Sequence, residues 1–107
     1  MIKMDEREYR LLVDDTLARI DAAYADVDPD LVECTISQGA LTLLFKDGTK
    51  AIVSPQPPVR QMWLAFRDRA WHFDRQGDDW VDAKGGVGLY RQLEAITQTA
   101  AGEVVQI

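Results

Sequence analysis

Residues 32–53 read Val32-Glu33-Cys34-Thr35-Ile36-Ser37-Gln38-Gly39-Ala40-Leu41-Thr42-Leu43-Leu44-Phe45-Lys46-Asp47-Gly48-Thr49-Lys50-Ala51-Ile52-Val53. Val32, Cys34 and Ile36 alternate with Glu33, Thr35 and Ser37, and Leu41, Leu43 and Phe45 alternate with Thr42 and Leu44. A period of two is the signature of strands with one face buried. Gln38-Gly39 turns the chain between the first two strands. Asp47-Gly48 predicts a tight two-residue hairpin, whose central positions both need positive φ, with Lys50–Val53 as the return strand.

Working outward, residues 5–27 carry Tyr9, Leu12, Val13, Leu17, Ile20, Tyr24 and Val27 at the spacing of a 3.6-residue period, which predicts one amphipathic helix. Asp5 and Glu6 suit the positive end of its dipole, and Pro29 stops it. Downstream, Ser54-Pro55-Gln56-Pro57-Pro58 predicts a rigid connection, because proline lacks the ladder donor a central strand needs. Gln61–Phe66, Trp71–Asp74 and Asp79–Asp82 read as further short strands, turned by Arg67-Asp68-Arg69 and Gln76-Gly77-Asp78. Gly85-Gly86 breaks the pattern, and Leu89, Leu93 and Ile96 give a second helix ending before Gly102. Neither helix can bury its apolar stripe alone. The order therefore predicts an α+β fold, a two-layer α–β sandwich with the N- and C-terminal helices packed on one face of an antiparallel sheet.

The chain has 107 residues, room for one domain spanning 1–107. It buries roughly two-thirds of its unfolded surface, too little for a deeply enclosed active site. A single cysteine excludes a disulfide framework, a cysteine zinc site and a cluster ligated by one chain. It suits a reducing, cytoplasmic setting. The charged start Met1-Ile2-Lys3-Met4-Asp5-Glu6-Arg7 does not read as a signal peptide, and the uncharged run Cys34–Phe45 is too short for a bilayer.

Eighteen acids against twelve bases give a formal net charge of −6. Residues 1–33 hold ten of the acids and four of the bases, and the remainder is neutral. Such a surface disfavours nucleic acid and anionic membranes, and suits cations or a basic protein.

The ingredients of ordinary catalysis are missing, and no catalytic residue is expected. His72 is the single histidine, a surface residue that points with Asp74 away from Trp71 and Phe73. Cys34 alternates with Val32 and Ile36 towards the core, where a thiol is inert. Gly85-Gly86-Val87-Gly88 lacks the Lys and Ser/Thr of a phosphate loop and reads as a break. The carboxylates say more. On a helical wheel Glu8, Asp15 and Asp26 lie near one line with Arg19 between them, and Asp14 and Asp21 on another. Asp26, Asp28 and Asp30 then extend the acidic surface past the helix end, and Glu33 projects outward from the first strand. Clustered carboxylates attract hard cations through oxygen, though a solvated helix face uses the same residues. If Met62 and Leu64 face the helices, Gln61 and Trp63 face outward. An outward tryptophan is an anchor for a protein partner or part of a second, partly covered core.

Together Gly39-Ala40-Leu41-Thr42-Leu43, Asp47-Gly48-Thr49-Lys50, Gln56-Pro57-Pro58-Val59-Arg60-Gln61-Met62-Trp63-Leu64-Ala65, His72-Phe73-Asp74, Trp80 and Ala100-Ala101-Gly102-Glu103 resemble the frataxin family in its bacterial CyaY branch. The resemblance implies an α–β sandwich and a role in iron–sulfur cluster biogenesis. Iron would be held weakly along the acidic ridge, and the partners would be a cysteine desulfurase and its scaffold protein, without an organic cofactor. It implies slowing of assembly in bacterial members, acceleration in mitochondrial ones, and, as an alternative, ferroxidase or iron-storage activity. A purely acidic binding module without metal is the third reading. Carried over by position, the metal candidates are Asp21, Asp26, Asp28 and Asp30, with Asp14, Asp15 and Glu33 as neighbours. Gln56, Gln61 and Trp63 are the partner-binding candidates. Two departures stand out. Ala22 and Ala25 replace acids and Arg19 adds a positive charge, which implies weaker iron binding; and Ser54-Pro55 replaces the Asn-Lys or Asn-Arg pair of relatives. The charge and flat sheet face suggest a monomer at low iron, with iron-induced oligomers implied by the family.

Overall fold

The computed structural model describes residues 4–107, so the reading of Met1-Ile2-Lys3 lies outside the described residues. The elements run α1 (Glu6–Tyr24), β1 (Val32–Ser37), β2 (Ala40–Phe45), β3 (Lys50–Gln56), a 3-10 turn (Pro57–Val59), β4 (Gln61–Phe66), β5 (Arg69–Gln76), β6 (Asp79–Asp82) and α2 (Leu89–Ala101). The six strands form one antiparallel meander in chain order. Both helices pack on one face, the two-layer α+β sandwich that the alternation and the helical stripes predict.

The core lies between these layers. Leu41, Leu43, Ala51, Val53, Met62, Leu64, Phe73 and Trp80 rise from the sheet, and Tyr9, Ile20, Leu89 and Leu93 come down from the helices. Three polar ties fix α1 in place. The Tyr9 hydroxyl donates to the Gln61 carbonyl at 2.6 Å. Trp80 Nε1 donates to Thr16 Oγ1 at 2.8 Å, and Thr16 spends its own proton on the Leu12 carbonyl. Thr97 Oγ1 likewise donates to the Leu93 carbonyl, so the Tyr24 hydroxyl, 2.6 Å from it, is the donor of that buried pair. At the start of α1, Asp5 caps the Glu8 N–H at 2.8 Å, a contact worth about 1 kcal/mol.

Four local expectations are corrected. First, α1 ends at Tyr24, five residues before Pro29 rather than at Val27. The buried Tyr24–Thr97 bond holds the last turn, and i→i+3 bonds from Ala25 and Val27 close it. Second, β3 runs through Ser54, Pro55 and Gln56, which pair with Trp63, Met62 and Gln61. The last β2 partner is Leu41, opposite Val53. Pro55 therefore has a neighbouring strand on one side only, the edge-like position in which a strand tolerates proline. Third, the two-residue turn with both positions at positive φ lies at Gln38-Gly39 and not at Asp47-Gly48. Gln38 (φ 54°) and Gly39 (φ 80°) both take positive φ between the paired Ser37 and Ala40. At 46–48 only Gly48 does, in a three-residue loop closed by Phe45 N–H to Thr49 O at 2.9 Å. Asp47 instead accepts from the Thr49 N–H at 2.9 Å. Fourth, Ile36 is 47% exposed and Cys34 only half-buried, because β1 is an edge strand that α1 covers incompletely.

Candidate functional site

All seven acidic candidates, Asp14, Asp15, Asp21, Asp26, Asp28, Asp30 and Glu33, are exposed. The fold divides them into three groups. Asp14 and Asp21 lie seven residues apart along one flank of α1, and Asp21 sits beside Cys34 of β1. There Asp21 and Glu33 line one groove of about 210 Å³ together with Tyr24, Ala25, Val27 and Cys34. Asp26, Asp28 and Asp30 follow the helix rather than extending it. Asp28 Oδ1 accepts the Asp30 N–H at 2.9 Å, and its carbonyl accepts from Leu31 and Val32. Asp26 is therefore off the helical line that the wheel drew through Glu8 and Asp15. Asp15 stands apart, four residues before Arg19 on the other flank.

Arg19 belongs to that other flank too. Its guanidinium lies 4.4 Å from the Tyr90 ring centre of α2 and donates to the Ile107 carbonyl at 2.8 Å. It is committed to the α2 side and does not neutralise Asp21.

Among the described residues no three His, Cys, Asp or Glu side chains converge on one point that could hold a metal ion. The ridge offers one or two carboxylate ligands at a time, so water must complete any coordination shell. Cys34 adds no thiolate: burial first, and then the charge of Asp21 beside it, push its thiol up to about 12. The thiol is a protonated group half-buried in a groove rather than a member of the core.

The outer sheet face carries the second set of candidates. Gln56, Gln61 and Trp63 are all half-buried. Gln56 and Gln61 pair across β3 and β4. Trp63 Nε1 donates to Gln61 Oε1 at 2.8 Å, and Gln61 Nε2 donates to Asp74 Oδ1 at 3.0 Å. The indole lies flat on His72, ring centres 4.1 Å apart and planes at 10°. Trp63 is thus a pinned plate, not a free anchor. His72 points with Asp74 as expected, yet lands on an aromatic ring across the ladder. His72 and Asp74 are members of this patch that the residue-by-residue reading missed. The three-residue turn read at Arg67-Asp68-Arg69 hid them: the turn is Arg67-Asp68, Arg69 pairs with Phe66, and that register sets Trp63 opposite His72 and Gln61 opposite Asp74. At the end of the glycine stretch before α2, a Cβ at Gly88, the helix N-cap, would lie 2.6 Å from Asp79 Oδ2. That helix end already faces a carboxylate. No helix among the described residues is long and apolar enough to cross a membrane.

A first helix and following turn that carry the carboxylates, and a pinned Gln–Trp plate on the outer face of a six-stranded meander, define a class. The frataxin-like domain profile matches residues 2–103, and the chain belongs to that family. A frataxin from Psychromonas ingrahamii, of the CyaY protein family, superposes with a TM-score of 0.90 at 27% identity, covering 96% of this chain and 97% of that one. The bacterial CyaY branch is therefore where this chain falls. A trimeric frataxin from the yeast Saccharomyces cerevisiae, complexed with ferrous, matches with a TM-score of 0.62 at 25% identity over 96% of this chain and 91% of that one. A further yeast frataxin shares the fold, with a TM-score of 0.74 at 24% identity over 94% and 85% of the two chains. The family's general setting is iron and iron–sulfur cluster formation.

Proposed function

We propose that this chain is an iron-responsive adaptor of iron–sulfur cluster biogenesis, regulating a cysteine desulfurase and its scaffold protein and able to bring ferrous iron to them. The observation that carries this reading is the confinement of the whole net charge of −6 to residues 1–33, of which 6–33 form α1, the following turn and the start of β1. Ferrous iron is cargo here. Asp21, Asp26, Asp28 and Asp30 would hold it, with Asp14, Asp15 and Glu33 adding to the local potential. Ligand sets of one or two carboxylates bind weakly and exchange quickly, as suits delivery rather than retention.

The same carboxylates would meet basic residues of the desulfurase, while Gln56, Gln61 and Trp63 present the sheet face to the scaffold. Bound iron lowers the charge of the ridge, so iron level and docking are coupled through one set of side chains. The reading places the protein in the cytoplasm as a monomer at low iron.

The test is titration of the desulfurase with the natural chain and with Asp21, Asp26, Asp28 and Asp30 all changed to Asn, at low salt. Binding by the first and not the second is expected; equal binding, or none by either, overturns the docking role. The ferrous-complexed trimer among the relatives favours a second reading, an iron-loaded oligomer with ferroxidase activity. Oxygen uptake above that of free ferrous iron in the same buffer would support it. The absence of a three-ligand cluster among the described residues speaks against it.

A further inference from the structure

The two edges of the sheet are finished differently. β6 is four residues long, and Gly88 bridges to Val81 across its outer side. β1 is six residues long, and among the described residues 33–37 make no backbone hydrogen bond outside the β1–β2 ladder. An open edge presents a row of unpaired N–H and C=O groups that templates another strand. The devices that usually blunt such an edge are nearly absent. β1 has no proline, its register runs without a bulge from Val32–Phe45 to Ser37–Ala40, and Glu33 is its single charge.

Two features lie along this edge on the helix side, two residues apart. The groove holding Asp21, Glu33 and Cys34 opens beside position 34. Ile36, on the same side of the strand, is 47% exposed beyond the cover of α1. Side chains of an added strand recur on one side every second residue, about 7 Å apart.

We propose that the β1 edge takes up an extended basic segment of a protein partner as a seventh strand. A Lys or Arg would reach over the groove to Asp21, and an apolar residue two positions away would cover Ile36. Backbone pairing supplies affinity and the alternate side chains supply selectivity. The charge of the ridge favours a basic segment over an acidic one. The proposal rests on the reading of α1 and β1 as a docking surface, and it adds the geometry of the contact.

A six-residue peptide reading threonine-lysine-threonine-valine-threonine-lysine, which sets lysine and valine two positions apart on one side, tests it, against the same peptide N-methylated at alternate backbone nitrogens. The second keeps every side chain and charge but loses ladder donors. With the full chain at low salt, the unmodified peptide is expected to slow amide exchange in residues 33–37. The methylated peptide should bind about tenfold more weakly or worse, as the loss of two or more hydrogen bonds requires. Asp21→Asn should weaken the unmodified peptide. Equal binding by both peptides, shifts confined to residues 14–30, or no binding overturns the proposal. No desulfurase is present, so failure here leaves the adaptor reading standing, and success here does not rescue it.

Discussion

Cys34 and Tyr24 are the side chains whose protonation the fold controls most firmly. Burial is the main cause for both, and each is pushed up to about 12, from ordinary values of 9.0 for the thiol and 10.0 for the phenol. A group held neutral by the fold contributes stability that is whole below its unfolded pKa and is lost as pH rises through the folded one. The urea midpoint is therefore expected to fall between about pH 9 and pH 12, and to fall less for Cys34→Ala, as checked by denaturation at stepped pH. Parallel decline of the two proteins would show that the thiol is not held protonated. Trp63 makes the other claim at this scale. Its plate is positioned by Gln61 and His72, so Trp63→Ala should lower affinity for the desulfurase–scaffold complex by about tenfold or more, in the range of a binding hot spot. His72→Ala, which removes the supporting ring alone, should cost less. Equal affinity of all three proteins in a calorimetric titration would exclude the plate from the interface. The outward direction of Trp63 was legible from alternation. Its pinning was not, because it depends on a cross-strand neighbour that becomes visible only when the register is written out.

At the scale of elements, the strands declared themselves wherever one face is buried and one is wet, as in β2 and β4. They were obscured where burial is lopsided: Ile36 in β1 has the apolar identity of a core residue, but α1 does not cover it. Pro55 misled for the opposite reason. Its residue type argues against a strand, while the position, past the last β2 partner, removes the objection. The departure at Asp47-Gly48 has a local cause, since Asp47 can bond Thr49 and so does without positive φ. Of the candidate site, the list of carboxylates was legible in full, because charge is a property of composition. Their grouping was not, because it needs the true end of α1 and the direction in which Arg19 leaves it. That direction gives a prediction. If Arg19 served the ridge as a counter-charge, Arg19→Ala would tighten ferrous binding. Committed instead to Tyr90 and Ile107, its loss should leave anaerobic iron isotherms within about twofold of the natural chain, as expected for charges separated by solvent. It should lower the urea midpoint slightly. A several-fold gain in affinity would contradict the placement of Arg19.

The whole molecule is an electrostatic asymmetry mounted on a rigid sandwich. The net charge of −6 is confined to the first third of the chain, and the other two-thirds are neutral. Association steered by such a surface is screened by salt, with a Debye length of about 10 Å at 0.1 M. The proposed complex with a desulfurase should accordingly weaken steeply as ionic strength rises, chiefly through slower association. A salt-independent association rate would point to the sheet face as the sole contact. The most direct measurement of the central claim is the rate of cluster formation on the scaffold, with desulfurase and ferrous iron. It is compared without this protein, with it, and with Asp21, Asp26, Asp28 and Asp30 all changed to Asn. The expected result is a rate altered by the natural chain and restored to its unassisted value in the variant. An equal effect of the two proteins would show that these carboxylates are spectators and contradict the account.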